Sequence, residues 1–412
     1  MNVALLLSLV LSGNAFMGSH AFRENRGSPP PYLNMPLNVP GAYTSGTTVL
    51  DTRGAAITCT RNSNATYVDS GVIKTAGVNQ CRVEPSGLLV EEARTNYTLR
   101  SEAIVTGTTV TSPWAAEASG TTLALSVVTA INPNGVSGPV SRAVFGAITG
   151  AGQDSIIYQN IGVHNPAISS VYFKTETGTA TVYFNSAVTY AGMTACSVTT
   201  AWSRCFSASV LTGNVYFTIG PDSRTGSGQP TSQPGVTVLI WGAQGESGAF
   251  ATSYIPTAGT AVQRLADVVS IATPAAWNIA TSWYATATVT PENSRVWGTT
   301  AYAFALGTNA AANTFSTYDA AAILYDNTAT SLVYNLGTMP IPPYTGTKLT
   351  VCDGTVPIGV YVSGVLKTPS GGVGTGVLSS RPETLYLGAK SDGTNQFNGN
   401  ISKIQIGRGC KP

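Results

Sequence analysis

Between Tyr97 and Ile271 the sequence is one extended segment after another. Ser155-Ile156-Ile157-Tyr158-Gln159, Ser169-Ser170-Val171-Tyr172-Phe173-Lys174, Thr179-Ala180-Thr181-Val182-Tyr183-Phe184, Asn214-Val215-Tyr216-Phe217-Thr218 and Val236-Thr237-Val238-Leu239-Ile240-Trp241 are rich in β-branched and aromatic residues, with turn signals between them. Many short strands of this kind argue for a sandwich or jelly roll. Only 10% of the 412 residues are charged, against about 25% in a typical globular chain. Gly, Thr, Ser, Val and Ala crowd the rest, a mix that favours strands and tight turns over surface helices. The chain therefore reads as nearly all β.

Two runs bracket that region. Gly87-Leu88-Leu89-Val90-Glu91-Glu92-Ala93-Arg94-Thr95-Asn96 is answered about 150 residues later by Trp241-Gly242-Ala243-Gln244 and Phe250-Ala251-Thr252-Ser253-Tyr254-Ile255-Pro256-Thr257. Matched runs at entry and exit point to one domain whose ends meet. Ahead of them lie Ala56-Ile57-Thr58-Cys59-Thr60, Ala65-Thr66-Tyr67-Val68 and Val72-Ile73-Lys74, with Asp69-Ser70-Gly71 as a hairpin turn.

These runs resemble phage head-fibre and tail-fibre type virion adhesins with a head spike fibre-like domain. Ser170-Val171-Tyr172-Phe173-Lys174 and Ala201-Trp202-Ser203-Arg204 match places where that family carries a strand ending in Lys and a Trp-x-Arg strand start. Gly245, where an apolar residue would be expected, departs from it. After the link Gly259 to Asp267, the opening Ser282-Trp283-Tyr284-Ala285-Thr286-Ala287-Thr288-Val289 and the closing Leu385-Tyr386-Leu387-Gly388-Ala389 and Gly399-Asn400-Ile401-Ser402-Lys403-Ile404-Gln405-Ile406 resemble a concanavalin A or laminin-G-like sandwich. The expected architecture is all-β: tandem β-sandwiches, a jelly-roll-like domain at 97–271 and a concanavalin A-like domain at 272–412. They follow a β-hairpin lead-in at 47–96, a Pro-rich linker or arm at 23–46 and a signal-like segment at 1–22.

Val3 to Leu11 form a short apolar block followed by small residues, as in an export signal, although Lys and Arg are missing ahead of it. Six cysteines support export. They fall as Cys59 and Cys81, Cys196 and Cys205, Cys352 and Cys410, without zinc-type spacing, so disulfides are expected. Nearest-neighbour pairing would place one bridge in each module, but six cysteines allow 15 connectivities among which sequence does not choose, and free buried cysteines are the alternative. The odd offset from Cys196 to Cys205 suits two residues facing across a hairpin that turns at Thr200-Ala201. A net charge of +2 with scattered Lys and Arg argues against nucleic acid as a partner. No apolar run beyond Leu11 approaches the roughly 20 residues that cross a bilayer.

Catalytic chemistry finds little support. His164, in the turn-like Gly162-Val163-His164-Asn165-Pro166, reads as a surface or half-buried loop histidine rather than a general base. Glycoside hydrolysis needs two carboxylates about 5 to 9 Å apart across a cleft. The adjacent Glu91 and Glu92 point to opposite faces of a strand, so one is expected inward, paired to Arg82 or Arg94, and the other solvated. Asp319, Asp326 and Asp353 are scattered.

Glycan binding by a sandwich uses aromatic faces stacked on sugar rings. Trp283, Tyr284, Trp297, Tyr302, Tyr318 and Tyr325 are the candidates, with Trp297 the preferred exposed one. Asp392 and Asn395, in Asp392-Gly393-Thr394-Asn395, offer oxygen ligands for calcium, or simply a hairpin turn; no cofactor is required. The expected function is non-enzymatic attachment to a surface polysaccharide or glycan on a virion or cell exterior, as a homo-oligomer in contact with other surface proteins. A glycan-cleaving enzyme and a purely structural decoration protein are the alternatives.

Overall fold

The computed structural model describes residues 33–37, 40–44, 56–187, 193–207, 211–272, 283–291, 304–306, 314–318, 322–327, 330–335, 346–353, 359–367, 384–389 and 396–408. Its regular elements are all strands. The signal-like segment lies outside the described residues, as does the start of the arm.

The centre of the inner domain is a single strand, Asp154–Thr175, that belongs to two layers. Its first half pairs with Ala115–Ser119 and Leu211–Ile219, and beyond the latter lie Ala180–Ala187 and Thr194–Val198. Its second half pairs with Ser203–Phe206 on one side and Val236–Ser247 on the other, followed by Ser137–Phe145 and Leu123–Ile131. Register shifts at Asn160/Gly162 and His164/Ala167 mark the corner between the halves. Gly162 sits at φ +96° and Pro166 carries no N–H, so the ladder is interrupted where the chain bends. The stretch expected as a turn around His164 is thus a bulged corner inside a long strand.

Strand alternation fills the space between the layers. Val171 and Phe173 face inward from the second half of the bent strand and meet Phe184, Phe217, Ile240 and Phe145 from the others, all buried. Tyr172, between those two, points outward and packs on Trp241 and Tyr254.

The Cys196–Cys205 bridge forms, with Cα atoms 6.1 Å apart, but not across a hairpin. Thr194–Val198 ends one layer and Ser203–Phe206 ends the other, so Thr199 to Trp202 is an arch between the two layers of one continuous sheet. Buried Val198 and Cys205 enter the core from opposite layers, a packing that a hairpin in one sheet would forbid. The same device recurs in the outer domain. Cys59, on Ile57–Thr60, is bonded to Cys81, on Gln80–Glu84, and these strands belong to different sheets. Cys352 is disulfide-bonded as well, while its expected partner Cys410 lies outside the described residues.

The lead-in and the last region share their sheets. Gly87–Val90 pairs with Gly399–Arg408, which pairs with Trp283–Pro291 and through it with Thr347–Asp353. Ile57–Thr60 pairs with Val268–Ala272, and that strand with Thr384–Leu387. Gly87 has φ +132°, and a Cβ there would lie 2.5 Å from the Ile401 backbone, so only glycine allows this approach. Leu33–Pro36, within the Pro-rich arm, adds itself to Gly399–Arg408, and Gly41–Thr44 joins Gln80–Glu84. The jelly-roll-like sandwich is therefore inserted between Gly87–Val90 and Val268–Ala272. Its ends do meet: Arg94–Asn96 pairs with Val262–Arg264.

Closing a loop of about ten residues should contribute about 2 to 3 kcal/mol. Replacing Cys196 and Cys205 together by Ser should lower the unfolding free energy of the oxidised protein by that amount, read from denaturant titration. Unchanged stability would mean that the bridge does not clamp the layers.

Candidate functional site

The bracketing runs build a buried ionic junction. Arg82 Nη1 donates to Glu91 Oε2 at 2.7 Å, its Nη2 donates to Asp267 Oδ2, and Arg61 Nη1 donates to Asp267 Oδ1 at 2.6 Å. Arg264 Nη1 lies 3.5 Å from Glu91 Oε2. Ser253 donates to both Glu91 oxygens, from its N–H and its hydroxyl, at 2.6 Å each. Burial pushes the Glu91 carboxyl up, but Arg264 and Arg82, together with Ser253, reverse this and hold it down at about 2. Burial also works against charge on Arg82, and Asp267 and Glu91 more than offset it, leaving its pKa raised.

Glu91 is the inward carboxylate of the pair, bound to Arg82 as expected. Glu92 is not free in solvent: Arg94 donates to it, and Asn398 Oδ1 accepts from its backbone N–H at 2.7 Å. Arg94 in turn lies over the Phe250 ring, 4.6 Å from its centroid. Asn96 ties entry to exit by donating to the Ala243 and Ile255 carbonyls at 3.2 and 2.8 Å, and Gln244 accepts from the Ile255 N–H. The carboxylates here are consumed by guanidinium and backbone partners, so the motif fixes structure. His164 is likewise held, with Nε2 on the Ile161 carbonyl at 2.7 Å, Nδ1 against the Ser247 hydroxyl at 2.8 Å and Tyr97 stacked over the ring.

Beside this junction a cleft of about 290 Å³ opens between the hairpin Ala65–Asp69/Val72–Ala76 and the outward face of the inner sandwich. The hairpin is seated by Ile73 N donating to the Pro133 carbonyl at 3.0 Å and by Thr66 donating to the Tyr254 carbonyl. Tyr67, Tyr172, Tyr254 and Phe206 supply the aromatic walls, and Arg204 and Glu84 supply charge. Phe206 is 45% exposed, unusual for so large an apolar ring.

Arg204 stands directly across the ladder from Tyr172. Its guanidinium carbon lies 5.6 Å from the Tyr172 centroid and 5.3 Å from that of Phe206, within cation–π range of both. Its Nη2 donates to Ser170 Oγ at 2.9 Å and to the Thr252 carbonyl at 2.8 Å. Glu84 accepts from Val68 N at 2.8 Å and from Asn400 Nδ2 at 3.1 Å, and burial raises its pKa. The arrangement can hold a flat, hydroxylated ring against aromatic surface while polar groups meet its edge.

The sequence candidates lie elsewhere. Tyr284 is 4% exposed, and a Cβ on Gly407 would come 2.6 Å from its ring, so it is a core residue and not the stacking surface expected of it. Strand alternation made it the inward position. Trp283, Tyr318 and Tyr325 stand on Trp283–Pro291, Thr314–Tyr318 and Ala322–Asn327, but their side chains lie outside what is described. Trp297, Tyr302, Asp392, Asn395 and Asp319 lie outside the described residues altogether, and so do the side chains of Asp326 and Asp353. Among the described residues no group of three His, Cys, Asp or Glu side chains is placed to hold a metal ion, and no helix is long and apolar enough to cross a membrane. Sequence reasoning missed the cleft. Its signal was present in the Tyr-Phe-Lys and Trp-x-Arg runs, noted only as points of family likeness.

Two outcomes follow for the junction. Arg82→Met leaves Glu91 and Asp267 buried without their main partner and should cost about 3 to 5 kcal/mol in urea unfolding. Because the Glu91 pKa is depressed in the folded protein, its contribution, about 3 kcal/mol, is complete above about pH 5 and is lost as pH falls from near 4.5 toward 2. Glu91→Gln should flatten that part of the stability profile; an unchanged acid slope would show that Glu91 does not carry it.

No family model matches the chain, and no curated protein matches it. Among solved structures it is similar to the N-terminal CBM22-1-CBM22-2 tandem domain of Xyn10C from Paenibacillus barcinonensis, at 10% identity and a TM-score of 0.23, over 76% of this chain and 98% of that one. A likeness that slight carries no argument about function.

Proposed function

We propose that the protein is a non-catalytic attachment protein that holds a glycan in the cleft between the Ala65–Ala76 hairpin and the inner sandwich. The observation that carries this reading is the exposed Phe206 ring beside Tyr172 and Arg204. An apolar ring next to unspent polar groups suits the two-sided surface of a sugar, apolar across its C–H face and polar at its rim. The two disulfides fit a protein that works in an oxidising, extracellular setting. Display on a virion or cell exterior, in the manner of the phage adhesins that the sequence resembles, is the context proposed for it.

The test is binding of the oxidised full chain to a panel of soluble polysaccharides, followed by Phe206→Ala. Because Phe206 is nearly half exposed, folding should be little changed while affinity for the best polysaccharide falls about tenfold, or about 1.4 kcal/mol. Val163→Ala, at an exposed position on the distant corner, should leave affinity intact. Equal binding by Phe206→Ala and the unaltered protein would remove the cleft from the binding surface.

A further inference from the structure

Arg204 lines the cleft together with the engaged Glu84, and Lys174 stands beside it on the neighbouring strand. Lys174 follows Tyr172 by two residues, so both point to the outward face, and its Nζ lies 5.7 Å from the Trp202 ring centroid. Arg204 follows Trp202 by two residues on the adjacent strand, with Arg204 opposite Tyr172. The result is a cross-strand patch of two cations and two aromatic rings. Among the described residues neither Lys174 nor Arg204 forms an ion pair, and both cations rest on rings instead. Among the described residues Arg204 Nε is buried with no acceptor, and Nη2 is the guanidinium nitrogen that is bonded.

The nearby acids are otherwise engaged. Glu176, two residues beyond Lys174, accepts from Arg142 Nε at 2.9 Å. Glu84 is held by Val68 and Asn400. A half-buried guanidinium with unspent donors and no counter-ion is an arrangement that a ligand carboxylate completes, since charge-assisted hydrogen bonds are about twice as strong as neutral ones.

We propose that the cleft selects acidic polysaccharides, with the carboxylate of a uronate or nonulosonate unit on Arg204, its ring against Phe206 and Tyr172, and Lys174 meeting the next acidic unit. This rests on the cleft being the glycan site. It adds the ligand's charge, which the aromatic walls alone do not specify.

The experiment titrates the oxidised full chain with three uronate-containing polymers, polygalacturonate, alginate and hyaluronan, and with a polysialate. Each is compared with its own methyl-esterified form, and a neutral galactan and mannan complete the set. At least one acidic polymer should bind at least about tenfold more tightly than its ester, with affinity falling as salt rises. Arg204→Gln should abolish that preference, and Lys174→Gln should reduce it severalfold. Esterification alters only the ligand, so the result stands even if Arg204→Gln folds poorly.

Equal binding of acid and ester, sensitive to Phe206→Ala, would overturn the charge assignment and leave the glycan reading intact. Failure of every polymer, acidic and neutral, would overturn both. Polyglutamate binding as tight as that of the best uronate-containing polymer, and equally dependent on Arg204, would replace the sugar by an acidic protein segment.

Discussion

The structure hangs on Arg82. Its two terminal nitrogens reach a carboxylate at the end of the lead-in, Glu91, and one at the start of the return strand, Asp267, although those two residues are separated by the whole inserted sandwich. Burying three guanidinium groups with two carboxylates is costly unless nearly every donor and acceptor finds a partner, and replacing such clusters by apolar residues is often neutral or better. What the cluster provides here is placement. Glu91 N donates to Asp267 Oδ2 and Asp267 N to the Glu91 carbonyl, so the entry and exit chains are locked in one relative position. Ser253 joins the Glu91 carboxylate, and it and the neighbouring Tyr254 line the cleft.

The two sandwiches solve the same problem in the same way. Each pairs strands that lie far apart in sequence, and each closes across its layers with a disulfide. For the outer sandwich the separation is extreme, since Gly87–Val90 pairs with Gly399–Arg408. Such non-local pairing is slow to form, because the loop entropy is lost before the contacts are made. Folding the inserted domain first brings residues 94 and 264 side by side and shortens the effective loop.

The all-β class, the inner sandwich and the meeting of its ends were legible in the sequence, because period-2 patterning and turn residues act locally. The pairs Cys59–Cys81 and Cys196–Cys205 were legible as pairs, yet the hairpin assigned to Cys196 and Cys205 was not what formed. Spacing gives the parity of two positions and says nothing about which neighbour each strand takes. Sharing of sheets between the lead-in and the last region was invisible for the same reason. The cleft was missed because its walls come from three separate stretches, Thr66 to Glu84, Tyr172 to Phe206 and Ser253 to Tyr254. Tyr284 shows the opposite error: an aromatic beside a strand opening invites a surface role, and only the close approach of Gly407 reveals that its ring is enclosed.

An inserted domain is joined to its host by two chain crossings rather than one. A displacement of the inserted sandwich from its host therefore acts on the crossings at 91–94 and 264–267 together, which hydrogen bonds already tie to each other. Shifting one crossing against the other breaks those bonds and the bridge that Arg82 makes between Glu91 and Asp267. That parallel connection leaves no single-chain hinge about which the inserted sandwich could swing on its host.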